Sequence, residues 1–129
     1  MTARLSREIE LLRQVHEEVE ADPEGRWVIL RGLSLPTGWS RSQADVLVKV
    51  PPGYPTTPPD NFFTDADLRL ANGARPGNAP QEETIAGRAW LMFSFHLEQG
   101  EWSPHADPEQ GHNLISYVDG VTRRLSEAN

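Results

Sequence analysis

The N-terminal residues carry apolar side chains at the spacing of one helix face. These side chains recur at intervals of four, three, three and four residues, and arginines and glutamates occupy much of the remaining surface. The pattern predicts an amphipathic helix over residues 4–20. Because proline disfavours helical geometry before it and glycine closes turns, the helix should end at Asp22-Pro23-Glu24-Gly25. The apolar positions are Leu5, Ile9, Leu12, Val15 and Val19.

Extended segments are predicted next, over residues 27–35 and 43–50 and, after a run of prolines, over Asn61 to Thr64. In the second segment apolar and polar side chains alternate, which is the pattern of a half-buried antiparallel strand. The apolar positions that share a face are Ile29, Leu33 and Leu35 in the first segment, and Ala44, Val46, Val48 and Val50 in the second.

The C-terminal half begins with residues 71–88, which have little apolar periodicity and much Gly, Pro, Ala and Asn, so they are predicted to form a long loop. Residues 90–97 alternate again and predict a fourth strand. Asn113 suits the N-cap of a final helix. The strand should place Leu91, Phe93, Phe95 and Leu97 on one face and Trp90, Met92, Ser94 and His96 on the other, and the helix stripe is Leu114, Tyr117, Val118, Val121 and Leu125.

The predicted elements define an α+β fold: an N-terminal helix, a four-stranded antiparallel meander and a C-terminal helix. The 129 residues contain no repeat and no long linker, so a single domain over residues 1–129 is expected. No apolar stretch approaches the length of a membrane span and no signal-peptide core is present, so a cytoplasmic location without membrane partners is expected.

Charge and cysteine content exclude several classes of function. The formal net charge is −7 and the pI is near 5.0, which argues against a nucleic-acid partner. The chain has no cysteine, so disulfides, thiolate metal sites and thiol nucleophiles are absent. We expect no cofactor and no metal.

The proline-rich run carries a resemblance to a known family. Residues 48–59, VKVPPGYPTTPP, followed by Phe62 and Phe63, resemble the signature of ubiquitin-conjugating enzymes in which a strand ends at Tyr-Pro-x-x-Pro-Pro and re-enters the sheet. Trp102-Ser103-Pro104 resembles the tripeptide that follows the active-site segment in that family. Residues 93–97 before Trp102, with Asn113-Leu114, are similar to bacterial members, which are associated with ubiquitin-like conjugation systems. The resemblance implies the conjugating-enzyme fold over nearly the whole chain.

The proline run itself is predicted to be scaffold. Proline fixes φ and lacks a backbone donor, so the segment can leave the sheet, turn rigidly and return with little entropy to lose. The scaffold positions are Tyr54, Pro55, Pro58 and Pro59.

The family's catalytic cysteine is missing. Its commonest position is eight residues before the tryptophan, which gives Ser94 here. The family's His-Pro-Asn motif is also missing, and Asn72 or Asn78 could supply an amide outside it. Thioester chemistry is therefore impossible in this chain.

Two hypotheses remain for the missing-cysteine position. In the first, Ser94 accepts a ubiquitin-like protein as an oxyester, with His96 as base and Asn78 or Asn72 as distant oxyanion support. Alternate strand residues lie about 6.5 Å apart, so a direct Ser94–His96 hydrogen bond would need a bent backbone. In the second, the protein is a non-catalytic adaptor that binds the ubiquitin-like protein or its activating enzyme.

A metal-dependent hydrolase is a remote alternative, because three imidazoles and a carboxylate occur near the C-terminal end, although their spacing matches no metal motif. The possible metal ligands are His96, His105, Asp107 and His112.

The resemblance implies two partners, a ubiquitin-like protein and a ubiquitin-activating-enzyme-like protein, the latter by way of Arg4, Arg7 and Arg13. A solvated helix face explains these arginines equally well. Trp39 and Trp90 are either binding anchors or covers of the sheet.

Overall fold

The computed structural model describes residues 1–127 and contains two helices and one antiparallel sheet. The α+β class is confirmed, but the predicted count of four strands is wrong: the sheet has six, in the order β1-β2-β3-β4-β6-β5. No helix in the described part of the chain is long and apolar enough to cross a bilayer. The elements are α1 (Ala3–Val15), β1 (Val19–Ala21), β2 (Trp27–Ser34), β3 (Gln43–Lys49), β4 (Phe62–Asp65), β5 (Gln81–Ile85), β6 (Arg88–Phe93) and α2 (Leu114–Ser126).

The first additional strand arises where the helix was predicted to continue. α1 ends at Val15, and Val19 pairs with Leu30 of β2 instead of adding a further helical turn. Val15 consequently remains 64% exposed, whereas Val19 is buried. Pairing with β2 supplies backbone hydrogen bonds and burial together, and this tertiary gain overrides the local helical pattern.

The second additional strand lies inside the segment predicted to be a loop. β5 and β6 form a hairpin whose two turn residues, Ala86 and Gly87, have φ values of 53° and 75°. Positive φ at both positions is the geometry of the tight turn that suits twisted antiparallel strands. β5 is an edge strand with mostly polar side chains, which is why its sequence lacks an apolar period.

A β-bulge changes which residues of β2 face the helices. The register with β3 shifts between Leu30 and Leu33, next to Gly32, which has a φ of 62°. A shift of one residue moves later side chains to the opposite face. Leu33 therefore packs on the main core while Ile29 lies on the other side of the sheet, so the predicted common face of these two residues is wrong.

The main core lies between the helices and one face of the sheet. Trp39, in the turn after β2, is buried in it, and its indole Nε1 donates to Leu125 O at 3.0 Å. Trp39 is therefore a core residue and not an exposed anchor. The predicted inward positions of β3 and α2 are confirmed as core: Ala44, Val46, Val48, Leu114, Tyr117, Val118, Val121 and Leu125.

A second, smaller apolar cluster fills the opposite face of the sheet, which we call the outer cluster: Ile29, Leu47, Phe63 and Trp90. Glu83 of β5 forms an ion pair with Lys49 of β3, so the hairpin curls over this face. Trp90 is fully buried, its Nε1 donates to Ile85 O at 3.1 Å, and the Arg88 guanidinium lies 4.1 Å from its ring centre. Trp90 is therefore a cover of the sheet and not a partner anchor.

The turn between β1 and β2 depends on the charge of Asp22. Its Oδ2 accepts hydrogen bonds from the Arg26 backbone N at 3.0 Å and from Arg26 Nε at 2.6 Å. The side-chain hydrogen bond from Arg26 is the largest contribution that lowers the Asp22 pKa from 3.8 to about 2.

We expect Asp22→Asn to be less stable than the parent at neutral pH. A carboxyl whose pKa falls on folding stabilises the native state above its unfolded pKa, and this contribution is lost as the pH falls through the folded value. The stability difference between parent and variant should therefore shrink as the pH falls below about 4 and vanish near pH 2. Urea unfolding followed across this range tests the prediction; a constant difference would contradict it, and the exposed Glu17→Gln is the control.

Candidate functional site

The proline segment between β3 and β4 is held by long-range hydrogen bonds. Trp102 Nε1 donates to Pro55 O at 2.7 Å, and the rings of Trp102 and Tyr54 lie 6.0 Å apart. The Tyr54 hydroxyl donates to Glu8 Oε1 at 2.5 Å. Burial, assisted by this hydrogen bond to a carboxylate, raises the Tyr54 pKa. The segment therefore joins α1 to the loop that contains Trp102.

Glu8 is the fully buried centre of these contacts. Its Oε1 also accepts the backbone N–H of Leu114 at 2.6 Å, and its Oε2 accepts Arg4 Nε at 2.7 Å. Leu114 is the first residue of α2, so the carboxylate lies at the positive end of that helix. One side chain of α1 thus fixes both the proline segment and α2.

The arginines of α1 form hydrogen bonds or ion pairs with other residues of the same chain. Arg4 is largely buried and also donates to His105 O at 2.5 Å, so it is not a free contact for a partner. Arg7 pairs with Glu10 and Glu109. Arg13 donates to Val19 O.

Ser94 lies on a short extended segment, residues 94–97, that we call the acceptor segment. β6 ends at Phe93, so the predicted strand is too long by four residues. The Ser94 backbone N donates to Asn78 O at 3.0 Å. The side chain of Ser94 is exposed, as the alternation of the sequence predicts.

Asn61 forms hydrogen bonds with both backbone groups of Phe95, the residue after Ser94. Its backbone N donates to Phe95 O at 2.9 Å, and its Oδ1 accepts the Phe95 N–H at 3.1 Å. Asn61 has a φ of 61°, a region that asparagine tolerates better than most residues. This pair of bonds, which we call the Asn61 clamp, fixes the backbone on the C-terminal side of Ser94.

The acceptor segment also rests on α2. The Phe95 and Tyr117 rings lie 5.4 Å apart, and a Cβ at Gly120 would come within 3.2 Å of Phe95 Cζ. The Tyr117 hydroxyl donates to Asn61 O at 2.7 Å, and burial raises its pKa, with a smaller contribution from the charge of Asp60. The helix thereby supports both the acceptor segment and the clamp.

His96 contacts Asp60, a residue that sequence reasoning missed. His96 Nδ1 lies 2.6 Å from Asp60 Oδ1, and the two side chains are 66% and 65% exposed. Asp60 directly precedes Asn61 at the end of the proline segment, and only the register of the clamp brings it beside His96. No local signal in the sequence could have identified this pairing.

Of the two asparagines considered for oxyanion support, Asn78 is in contact with Ser94. Asn78 Nδ2 is buried and has no hydrogen-bond partner among residues 1–127. Asn72 is exposed, and its Oδ1 accepts the N–H of Ala74 in a local turn.

The histidines near the C-terminal end make separate local contacts. His112 Nδ1 accepts the Ser103 N–H at 2.8 Å, and His105 Nδ1 accepts the Asp107 N–H at 2.9 Å. Within residues 1–127, no group of three or more His, Asp or Glu side chains is placed to hold a metal ion. The metal-dependent alternative therefore has no support in this part of the chain.

The α+β fold and the proline segment that packs against Trp102 agree with the resemblance of the sequence to E2 proteins, E2 being the ubiquitin-conjugating enzyme class. The chain belongs to prokaryotic E2 family E, whose family model matches residues 6–128. Comparison with curated proteins and with solved structures gave no match. Family membership indicates a role in a ubiquitin-like conjugation pathway and contact with proteins of that pathway.

Proposed function

We propose that this protein carries a ubiquitin-like protein as an oxyester on Ser94. The observation that supports the proposal is the setting of Ser94: its side chain is exposed, and the backbone is fixed on both sides of it. Ser94 also lies eight residues before Trp102, the spacing at which the resemblance puts the family's cysteine. A nucleophile held in this way loses little freedom when it attacks a docked acyl group.

The transfer needs an acyl donor, which we take to be a thioester between the ubiquitin-like C-terminus and an activating-enzyme-like protein. Ser94 Oγ attacks the thioester carbonyl, the new C–O bond forms and the C–S bond breaks. The hydroxyl proton passes to His96 and then to the departing thiolate, so the products are an oxyester and a thiol. A serine hydroxyl needs such a base because it is a weak nucleophile.

In this proposal Asn78 is the oxyanion donor, beside the nucleophile Ser94 and the base His96. Its Nδ2 is buried and has no hydrogen-bond partner among residues 1–127, and its backbone O accepts from Ser94 N. In enzymes that stabilise a tetrahedral oxyanion, one preorganised donor contributes about 10²–10³ in rate.

Ser94→Ala should abolish the adduct completely. Parent and variant would be incubated with the activating-enzyme-like protein, ATP and the ubiquitin-like partner, and analysed by intact-mass spectrometry. The parent should gain the mass of one partner, lost again in mild base, and Ser42→Ala, an exposed serine elsewhere, should behave as the parent. Ser94→Cys should form an adduct that thiols remove. An adduct that persists in Ser94→Ala would refute the assignment.

The second candidate is a non-catalytic adaptor. It is favoured by the fact that, among residues 1–127, His96 forms no direct hydrogen bond with Ser94. In that case neither parent nor Ser94→Ala forms an adduct, and both form the same stable complex with the ubiquitin-like protein or the activating enzyme on gel filtration.

A further inference from the structure

We infer that Asp60 is a positioning residue that holds His96 in the tautomer needed to accept the Ser94 proton. The inference rests on the oxyester function proposed above and extends it to a residue for which the sequence offers no motif. It depends on the geometry at the crossing of two chain segments.

The Asp60–His96 contact follows from the backbone. Asn61 and Phe95 exchange two hydrogen bonds, at 2.9 and 3.1 Å, so the residues beside them, Asp60 and His96, face each other across the crossing. Pro59 is buried, and its ring limits the freedom of the chain that enters Asp60. Both side chains are short, so ordering them costs less than ordering a pair with a long lysine or arginine.

The contact has a chemical consequence for the imidazole. A carboxylate accepts hydrogen bonds only, so a neutral His96 beside Asp60 carries its proton on Nδ1 and presents a lone pair at Nε2. This is the tautomer that a general base requires, and a carboxylate that holds it also stabilises the imidazolium formed in the reaction. Among residues 1–127, Asp60 is the side chain whose contact selects that tautomer.

The exposure pattern of residues 94–97 suits transfer through one water. Ser94 and His96 are exposed and alternate with the half-buried Phe95 and Leu97, so both side chains lie on the solvent side. Alternate residues of an extended chain lie about 6.5 Å apart, a spacing that a single water molecule can bridge. The proton then moves from Ser94 Oγ to the water and from the water to His96 Nε2.

Other charges near the imidazole do not replace Asp60. A cleft of about 160 Å³ next to His96 is lined by the charged residues Glu101, Arg123, Arg124 and Glu127. None of them forms a hydrogen bond or ion pair with His96 within residues 1–127, where Asp60 is its only such partner. Replacement of Asp60 therefore removes the group that contacts Nδ1 and leaves the surrounding charges unchanged.

The first test needs only this protein. The ¹⁵N shifts of the His96 ring would be recorded for its neutral form, reached by raising the pH until the shifts no longer change. The parent should show Nδ1–H, and Asp60→Ala should shift the population towards Nε2–H. Asp67→Ala, which removes an exposed carboxylate paired with Arg41, should match the parent. The same tautomer in parent and Asp60→Ala would overturn the inference.

The second test measures the rate at which the base-labile adduct forms on Ser94. Asp60→Ala should slow it about 10- to 100-fold, within the range attributed to general bases, while affinity for the ubiquitin-like partner stays unchanged. Asp60→Glu should recover part of the rate, which loss of structure alone would not predict. If the parent forms no adduct, the proposed function fails, and with it this role of Asp60. If the parent forms the adduct and Asp60→Ala forms it equally fast, only the inference fails.

Discussion

Glu8→Ala will lower the free energy of unfolding by about 3–5 kcal/mol, the range for breaking a buried charge pair by removing one partner. The side chain is fully buried and accepts three hydrogen bonds, from Arg4, Tyr54 and Leu114. Its loss leaves Arg4 Nε, the partly buried Tyr54 hydroxyl and the first amide of α2 without their acceptor. Each orphaned polar group carries its own desolvation cost.

Urea unfolding at neutral pH provides the measurement. Glu10→Ala on the same helix is the matched control; its exposed side chain pairs only at the surface, and we expect a change within about 0.5 kcal/mol. Adding Tyr54→Phe to Glu8→Ala should cost less than the sum of the single changes, because the phenylalanine removes the orphaned hydroxyl. If the two changes in unfolding free energy are strictly additive, the Glu8–Tyr54 contact does not contribute to stability.

Trp90→Ala will destabilise the fold by about 3–5 kcal/mol, the range for truncating a buried large aromatic residue. Trp90 is the largest side chain of the outer cluster, and its removal also ends the Nε1 hydrogen bond to Ile85 O and the stacking of Arg88. The β5–β6 hairpin should loosen first, because Trp90 anchors it to the sheet.

Hydrogen exchange of the β5 amides, measured with the unfolding free energy, tests this result. Trp90→Phe is the conservative control; it keeps an aromatic ring and loses the indole donor, so its effect should be smaller. A stable Trp90→Ala with unchanged β5 exchange would show that the hairpin does not depend on the outer cluster. A loss of partner binding at unchanged stability would restore Trp90 as an exposed anchor.

Sequence patterns predicted the elements whose side chains repeat against one large core. α2 and β3 were correctly placed because their apolar positions follow a single period of 3.6 or 2. β1 and β5 were missed for the opposite reason. A three-residue strand is too short to show a period, and a polar edge strand has no buried face that the sequence must encode.

In the candidate site, too, local features were predicted from the sequence and long-range contacts were not. The exposure of Ser94 followed from alternation, but the partners of the acceptor segment come from distant parts of the chain. Asn61 and Asp60 reach it across 34 and 36 residues, and Glu8 reaches α2 across 106. Such pairs depend on how the bulge, the hairpin and the proline segment set the register, which no short window of sequence records.

The hydrogen bond between Glu8 and Leu114 also bears on synthesis of the protein. The ribosome makes α1 about 100 residues before α2, at roughly 5–20 residues per second. The Glu8 carboxylate therefore lacks the Leu114 N–H for several seconds. During that interval the buried faces of α1 and the sheet are uncovered, and Trp39 also lacks its carbonyl partner, Leu125. The native packing of the nascent chain therefore completes only after α2 leaves the exit tunnel. A nascent chain stalled before Leu114 should bind general chaperones and be cut readily by proteases.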